Sequence, residues 1–345
     1  MQTSRRTILK AATAATAASA VTGIGLIGLG GKSANAQSGT FSFKVGTNVQ
    51  NTHPIFLRLS EATEKIKADT DGKVAIRVFP NGQLGSDTDM LSQVRSGGVD
   101  FLTMPGVVLA NLVPMASLNS VGFAFPDYPA VWKAMDGEMG KFMRSHIAKA
   151  NLHVFDRIWD NGFRHITANK PINTPADLNE LKIRVPVSPL LLSLFKTLKA
   201  SPTGINFNEL YSSLQTRLVD AQENPLPIIE SAKIYEVQKN CALTGHVWDG
   251  YWMLANRRGF ESLPTNLREI VARNFDMGAM NQRADSEKLA VSLQQELGSK
   301  GLAFHRPPVE PFRAALRQGR FYLEWKAKFG DEAWAQLEAA TGKLA

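Results

Sequence analysis

Cysteine is nearly absent: Cys241 is the only one in 345 residues, so no internal disulfide can form. Without further thiols, Cys241 reads as a small buried apolar residue. The six histidines, His53, His146, His153, His165, His246 and His305, show no H-E-x-x-H spacing, so no metal site is expected. A G-x-S-x-G elbow and a G-x-x-x-x-G-K-[ST] phosphate loop are also missing. These gaps remove the sequence grounds for a metalloenzyme, an α/β-hydrolase or a P-loop enzyme. No apolar stretch after the N-terminal region reaches the ~18–20 residues needed to cross a bilayer. Long Lys/Arg runs are absent too, and none is interleaved with aromatics, which argues against nucleic acid.

What remains is an ordinary globular balance, with 44% hydrophobic and 20% charged residues. The net charge of +8 is concentrated at the N-terminus. Residues 1–36 hold Arg5, Arg6, Lys10 and Lys32 and no acid, leaving 35 basic against 31 acidic residues beyond them. Ser4-Arg5-Arg6-Thr7-Ile8-Leu9-Lys10 resembles a twin-arginine export signal. An Ala-rich stretch follows, and Ala34-Asn35-Ala36 supplies a small-x-small cleavage site before Gln37. Gly23 to Gly28 matches G-x-G-x-x-G, but no strand precedes it, so no nucleotide site is expected there.

Beyond the leader the chain alternates strands and helices. Phe41–Gly46 reads as a strand, and Pro54 opens a helix to about Asp69 with Ile55, Leu59, Ala62 and Ile66 on one side. Val74–Phe79 is a strand, Asp87–Ser96 a helix with Asp87 as its cap, and Val99–Met104 another strand. The rhythm returns with strand Leu181–Val185, helix Pro189–Lys199, an extended Thr203–Phe207, a helix from Phe207 to about Arg217, and strand Val219–Glu223. Arg157–Thr167 and Gly250–Asn256 read as strands crossing between the two units. Pro264–Leu297 is a long helix with Leu267, Ile270, Val271, Phe275, Met280, Leu289 and Leu293 as its apolar side. The pattern predicts an α/β, two-lobed clamshell, each lobe a mixed sheet flanked by helices. The expected boundaries are 37–161 plus 250–289 for one lobe and 162–249 plus 290–345 for the other. Ligands in such folds bind beyond the carboxyl ends of strands, so the cleft is expected near Asn48, Asp87, Pro186 and Asn224.

Several short motifs fall in order along the chain. They are Phe79-Pro80-Asn81-Gly82-Gln83-Leu84-Gly85, Asn161-Gly162-Phe163-Arg164, Leu181-Lys182-Ile183-Arg184-Val185-Pro186, Ala200-Ser201-Pro202-Thr203, Ala221-Gln222-Glu223-Asn224-Pro225 and Tyr235-Glu236-Val237-Gln238-Lys239. In this order and spacing the chain resembles the DctP family, the substrate-binding subunits of TRAP (tripartite ATP-independent periplasmic) transporters. The resemblance spans essentially residues 41–340. It implies a periplasmic receptor, not an enzyme, that closes on an organic-acid anion and delivers it to small and large membrane subunits. It implies no cofactor, and a monomer as the default. An exported enzyme, or a receptor presenting its ligand to a sensor kinase, are the competing readings.

The resemblance also points to site residues. Arg184 is the expected anion anchor, because a planar guanidinium offers two parallel donors to a carboxylate. Arg164 is expected as a second direct contact, with a bridge between lobes as the alternative. Asn224 can donate or accept, and Phe207 matches an aromatic wall. Asn48, Asp87 and Pro186 lie at strand ends, while Trp248, Tyr251 and Trp159 flank the crossings. Glu223 is expected to anchor a neighbour rather than the anion. Sialic-acid members carry a glutamate and an arginine after the third strand. Thr103-Met104-Pro105-Gly106-Val107-Val108 has neither, which favours a smaller acid: a C4-dicarboxylate, a sugar acid or uronate, or a hydroxy or keto acid.

Overall fold

The computed structural model describes residues 40–344, so the expected leader lies outside the described residues. Ten strands make one mixed sheet: β1 (Phe41–Gly46), β2 (Val74–Phe79), β3 (Phe101–Pro105), β4 (Leu152–Val154), β5 (Trp159–Ala168), β6 (Lys182–Val185), β7 (Ser201–Gly204), β8 (Ala221–Asn224), β9 (Asn240–Asn256) and β10 (Ala303–His305). Their order is β2-β1-β3-β9-β5-β8-β6-β7, with β4 and β10 both on β9. The parallel set β2-β1-β3 belongs to one lobe, and the parallel set β8-β6-β7 to the other. β9 and β5 run antiparallel between them and carry the chain across the waist of a two-lobed clamshell. At 17 residues, β9 is long enough to serve both lobes; its first half was not expected from sequence.

Local chemistry explains the first lobe. Phe41, Phe43 and Val45 alternate with Ser42 and Lys44, and β1 ends buried at Val45 and Gly46. Helix Pro54–Asp69 starts at proline, and the His53 ring accepts from the Ile55 amide at 3.2 Å. That capping bond gives His53 a structural task. Helix Asp87–Ser96 is capped one residue earlier than expected. Ser86 accepts from the Asp89 amide at 3.3 Å while Asp89 accepts from the Ser86 amide at 3.1 Å. This capping box releases the Asp87 carboxylate for contacts outside the helix.

The helix Thr265–Ser299 has 35 residues, about 50 Å at helical rise, and packs against Pro54–Asp69 and β5. Leu267, Val271, Phe275, Leu293 and Leu297 are buried as the apolar stripe requires, but Met280 is 46% exposed and lies off it. Residues 106–150 form short helices and turns that periodicity did not reveal. Three C-terminal helices, Glu310–Gln318, Phe321–Phe329 and Asp331–Thr341, bury Phe312, Trp325 and Trp334. No helix among the described residues is long and apolar enough to cross a membrane.

Candidate ligand-binding cleft

On β6 the alternation places Ile183 and Val185 in the core and turns Arg184 to the other face. Arg184 is 1% exposed. Its Nε donates to the Ile205 carbonyl at 2.9 Å, and the Phe207 ring sits 5.9 Å from its guanidinium carbon. Its Nη1 is buried without a hydrogen-bond partner. Burial pulls the Arg184 pKa down to about 10; Glu223 and Asp87 oppose that, while Arg164 adds to it. The group therefore stays cationic at neutral pH. Pro186, also buried, has no amide hydrogen and stops the strand just beyond the arginine.

Arg164 on β5 has a different fate. Its Nε donates to Glu223 Oε2, and its Nη2 donates to Glu223 Oε1 at 2.8 Å, to the Glu223 carbonyl at 2.7 Å and to Asn224 Oδ1 at 3.1 Å. Nη1 donates to Asp249 Oδ2 at 2.5 Å. Two carboxylates thus already hold this guanidinium, tying β5 to β8 and β9. The partners seen here, Glu223 and Asp249, lie with Arg164 inside the segment 162–249 expected to belong to one lobe, so they are strand-to-strand ties rather than the bridge between lobes weighed as the alternative. Burial works against the Arg164 charge, but Glu223 and Asp249 outweigh it and the pKa rises. Burial works against the Glu223 charge as well, yet Arg164 and His246 hold that carboxyl below its usual range. Asp249 stays raised by burial despite Arg164. Burial keeps His246 neutral-leaning. Its Nε2 lies 3.1 Å from Glu223 Oε2 and its Nδ1 2.7 Å from Thr244 Oγ1. Glu223 therefore anchors neighbours, as its place beside Asn224 suggested.

The opposite wall comes from the first lobe. The Tyr251 hydroxyl donates to Asn48 Oδ1 at 3.1 Å, and Asn48 Nδ2 donates to Asp87 Oδ1 at 2.7 Å. Asp87 Oδ2 accepts from the Phe207 amide at 3.2 Å, so a carboxylate of one lobe is bonded to the backbone of the other. Burial raises the Asp87 pKa, against the pull of the Phe207 amide, Arg184 and Asn48. A cavity of about 190 Å³ opens beside Asn48, Asp87 and Phe207. Asn224 is held at both ends, accepting from Arg164 and donating to Gln222 Oε1 at 2.5 Å.

Two tryptophans are placed elsewhere. Trp248 is three residues from Tyr251 on β9 and so faces the other way. Its Nε1 donates to Asp160 Oδ1 at 2.9 Å, and its ring meets Trp132 edge-on at 5.4 Å. It is core, not cleft wall. Trp159 is fully buried and its ring presses on Gly278 of the long helix, which corrects its assignment to the pocket. Asp249 was missed altogether; it lies two residues before Tyr251, on the same face of the strand, and that spacing was a usable signal. Among the described residues no group of His, Cys, Asp and Glu could hold a metal ion.

Residues 45–320 match the family model described as bacterial extracellular solute-binding protein, family 7, or DctP. The chain is 31% identical over 257 residues to the 2,3-diketo-L-gulonate-binding periplasmic protein YiaO of Escherichia coli, covering 74% of this chain and 77% of that protein. A TRAP periplasmic solute-binding protein from Roseobacter denitrificans, solved with bound L-galactonate, superposes with a TM-score of 0.82 at 28% identity. That match covers 88% of this chain and 99% of the other. A TRAP periplasmic solute-binding protein from Sulfurospirillum deleyianum with bound succinate also gives a TM-score of 0.82, at 26% identity and the same coverage. The chain therefore belongs to the DctP family, family 7 of the bacterial extracellular solute-binding proteins, and has the fold of their TRAP members.

Proposed function

We propose that this protein captures a small organic-acid anion between its lobes, with Arg184 as the anchor. The observation that carries this reading is the contrast in donor use. Arg164 is consumed by two carboxylates, whereas Arg184 keeps a buried Nη1 with no partner. A buried guanidinium donor without a partner is unfavourable until an acceptor arrives. A ligand carboxylate supplies that acceptor, and the dry setting strengthens the pair.

The rest of the cleft narrows the ligand. Asp87 presents a second negative group near the anchor, and Asn48 offers an amide beside it. A ligand's second carboxylate would meet Asp87 as a like charge, whereas hydroxyls could donate to it. A hydroxylated monocarboxylate, such as a sugar acid, therefore fits better than a C4-dicarboxylate. The protein works as a carrier rather than an enzyme. It is exported to the periplasm through its twin-arginine leader, and it hands its cargo to TRAP-type membrane subunits. Lobe closure is driven by the anion's higher affinity for the closed state.

The test is a thermal-shift and calorimetric panel of galactonate, galacturonate, succinate and malate. The hydroxylated monocarboxylates are expected to raise Tm and to bind one per chain. Arg184→Ala should abolish that shift while melting cooperatively. Parent-like binding by Arg184→Ala would defeat the assignment.

A further inference from the structure

A second and larger cavity, about 680 Å³, lies on the other face of β5. Arg164 turns toward the cleft, so its neighbours Phe163 and His165 turn away from it, and both line this cavity. Its volume falls within the ~300–1,000 Å³ usual for small-molecule sites. The lining has a definite sign. Arg306 and Arg313 contribute cations, and among the described residues no Asp or Glu lines it. Arg313 Nε is buried without a hydrogen-bond partner, and so is Oδ1 of Asn161, which is 1% exposed. The Gly245 amide donates to His165 Nδ1 at 3.1 Å, and burial holds that ring's pKa at about 3. The proton of neutral His165 is thus on Nε2, which makes it a further donor. Flat apolar walls complete the space: Phe163 stands edge-on to Tyr128 at 5.2 Å, with Pro225 and Pro227 alongside.

A break in the sheet forms part of this cavity. Arg164 pairs with Val247 and Ile166 with Ala242, so β9 loops out residues 243–246 opposite His165. Gly245 takes a φ of 53° at the tip of that loop. Thr244, on the same loop, lines the cavity and lies 2.7 Å from His246 Nδ1. His246 reaches Glu223, which holds Arg164. One hydrogen-bonded chain thus runs from this cavity to the waist cluster behind the cleft.

We propose that this cavity is a second binding site, taking a small monocarboxylate with a planar apolar body. Arg306 and Arg313 face the carboxylate, and the Phe163–proline walls cover the flat body. Its binding does not depend on the cleft reading, because no residue of the cleft anchor lines it.

Benzoate is the probe, titrated by calorimetry into the parent, Arg184→Ala, and the double variant Arg306→Gln with Arg313→Gln. Parent and Arg184→Ala should bind one benzoate with the same affinity. The double variant should bind at least about tenfold more weakly, the loss of one modest charge-assisted contact. Loss of benzoate binding in Arg184→Ala would place it in the cleft and overturn the proposal. Parent-like binding by the double variant, or no binding by the parent, would overturn it too. Should the double variant fail to melt cooperatively, a crystal structure of the parent with benzoate decides. Density for the ring against Phe163 supports the second site; density confined to the cleft, or none, refutes it.

Discussion

The waist of the molecule and the end of β6 each bury an arginine, and they employ it in opposite ways. At the waist, Arg164 meets Glu223 and Asp249 and joins three strands. At the strand end, Arg184 has one main-chain acceptor, one aromatic face and an unused donor. Both residues are 1% exposed, so burial alone does not separate a structural cation from a binding one. The balance of partners does. A buried charge whose counter-charges are built in serves the fold. A buried charge left under-partnered stores binding free energy for something that arrives later.

The largest effect that would break this contrast is on stability. Arg164→Met leaves Glu223 and Asp249 buried without their counter-ion, which should cost about 3–5 kcal/mol. Chemical denaturation at pH 7 should show it as a lower midpoint with an unchanged slope. Arg184→Ala should leave that midpoint near the parent's or raise it, since it removes an incompletely paired buried cation. If the two variants lose equal stability, the distinction between the arginines is void.

The next effect is on affinity and runs the other way. Losing a bidentate charge-assisted pair is worth about 3 kcal/mol, or roughly a hundredfold in Kd. Arg184→Ala should lose that much for a hydroxylated monocarboxylate, measured by calorimetry. A residual affinity within a few fold of the parent would transfer the anchoring role to another group.

A third test concerns the two faces of β9. Trp248→Phe removes the donor to Asp160 and should cost about 1–3 kcal/mol of stability, with ligand affinity unchanged. Tyr251→Phe frees Asn48 on the cleft side and should change affinity more than stability. A tighter or weaker complex with Trp248→Phe would return that ring to the cleft.

Much of the first lobe was legible because period and punctuation agree there. β1 and helix Pro54–Asp69 fall where alternation and a proline at the helix start place them. Legibility fails where elements are short or interrupted. Residues 106–150 break into several separate helices and turns, so no single period runs across the segment. The first half of β9 was hidden by its looped-out residues 243–246, which break alternation and put a glycine inside the strand. At the site, residue type was easier to read than partnership. Arg184, Asp87, Asn48 and Phe207 are brought together as strand-end logic predicts. Arg164 belongs to the same neighbourhood, but only three-dimensional contact reveals that Glu223 and Asp249 already occupy it. Trp248 and Tyr251 were separable in advance, because a spacing of three in a strand puts them on opposite faces.

The smallest expected effect concerns Asp87, a cleft carboxylate that faces Arg184 without pairing with it. Asp87→Asn keeps the shape and one acceptor oxygen but removes the negative charge. Discrimination against a dicarboxylate should fall by about tenfold, the size of one moderate like-charge contact. The change should show as a rise in malate affinity with galactonate affinity held or lowered. The same variant carries a pH signature. Burial raises the Asp87 pKa, so the folded chain binds a proton that the unfolded chain has released, between the ordinary carboxylate value and the raised one. Over that window the parent loses stability as pH rises, and below it the Asp87 contribution is constant. Asp87→Asn should flatten that part of the profile and match the parent most closely at low pH. If instead the variant's disadvantage grows as pH rises, ionised Asp87 is a stabilising group. The charge-repulsion argument against a second carboxylate in the ligand then fails with it.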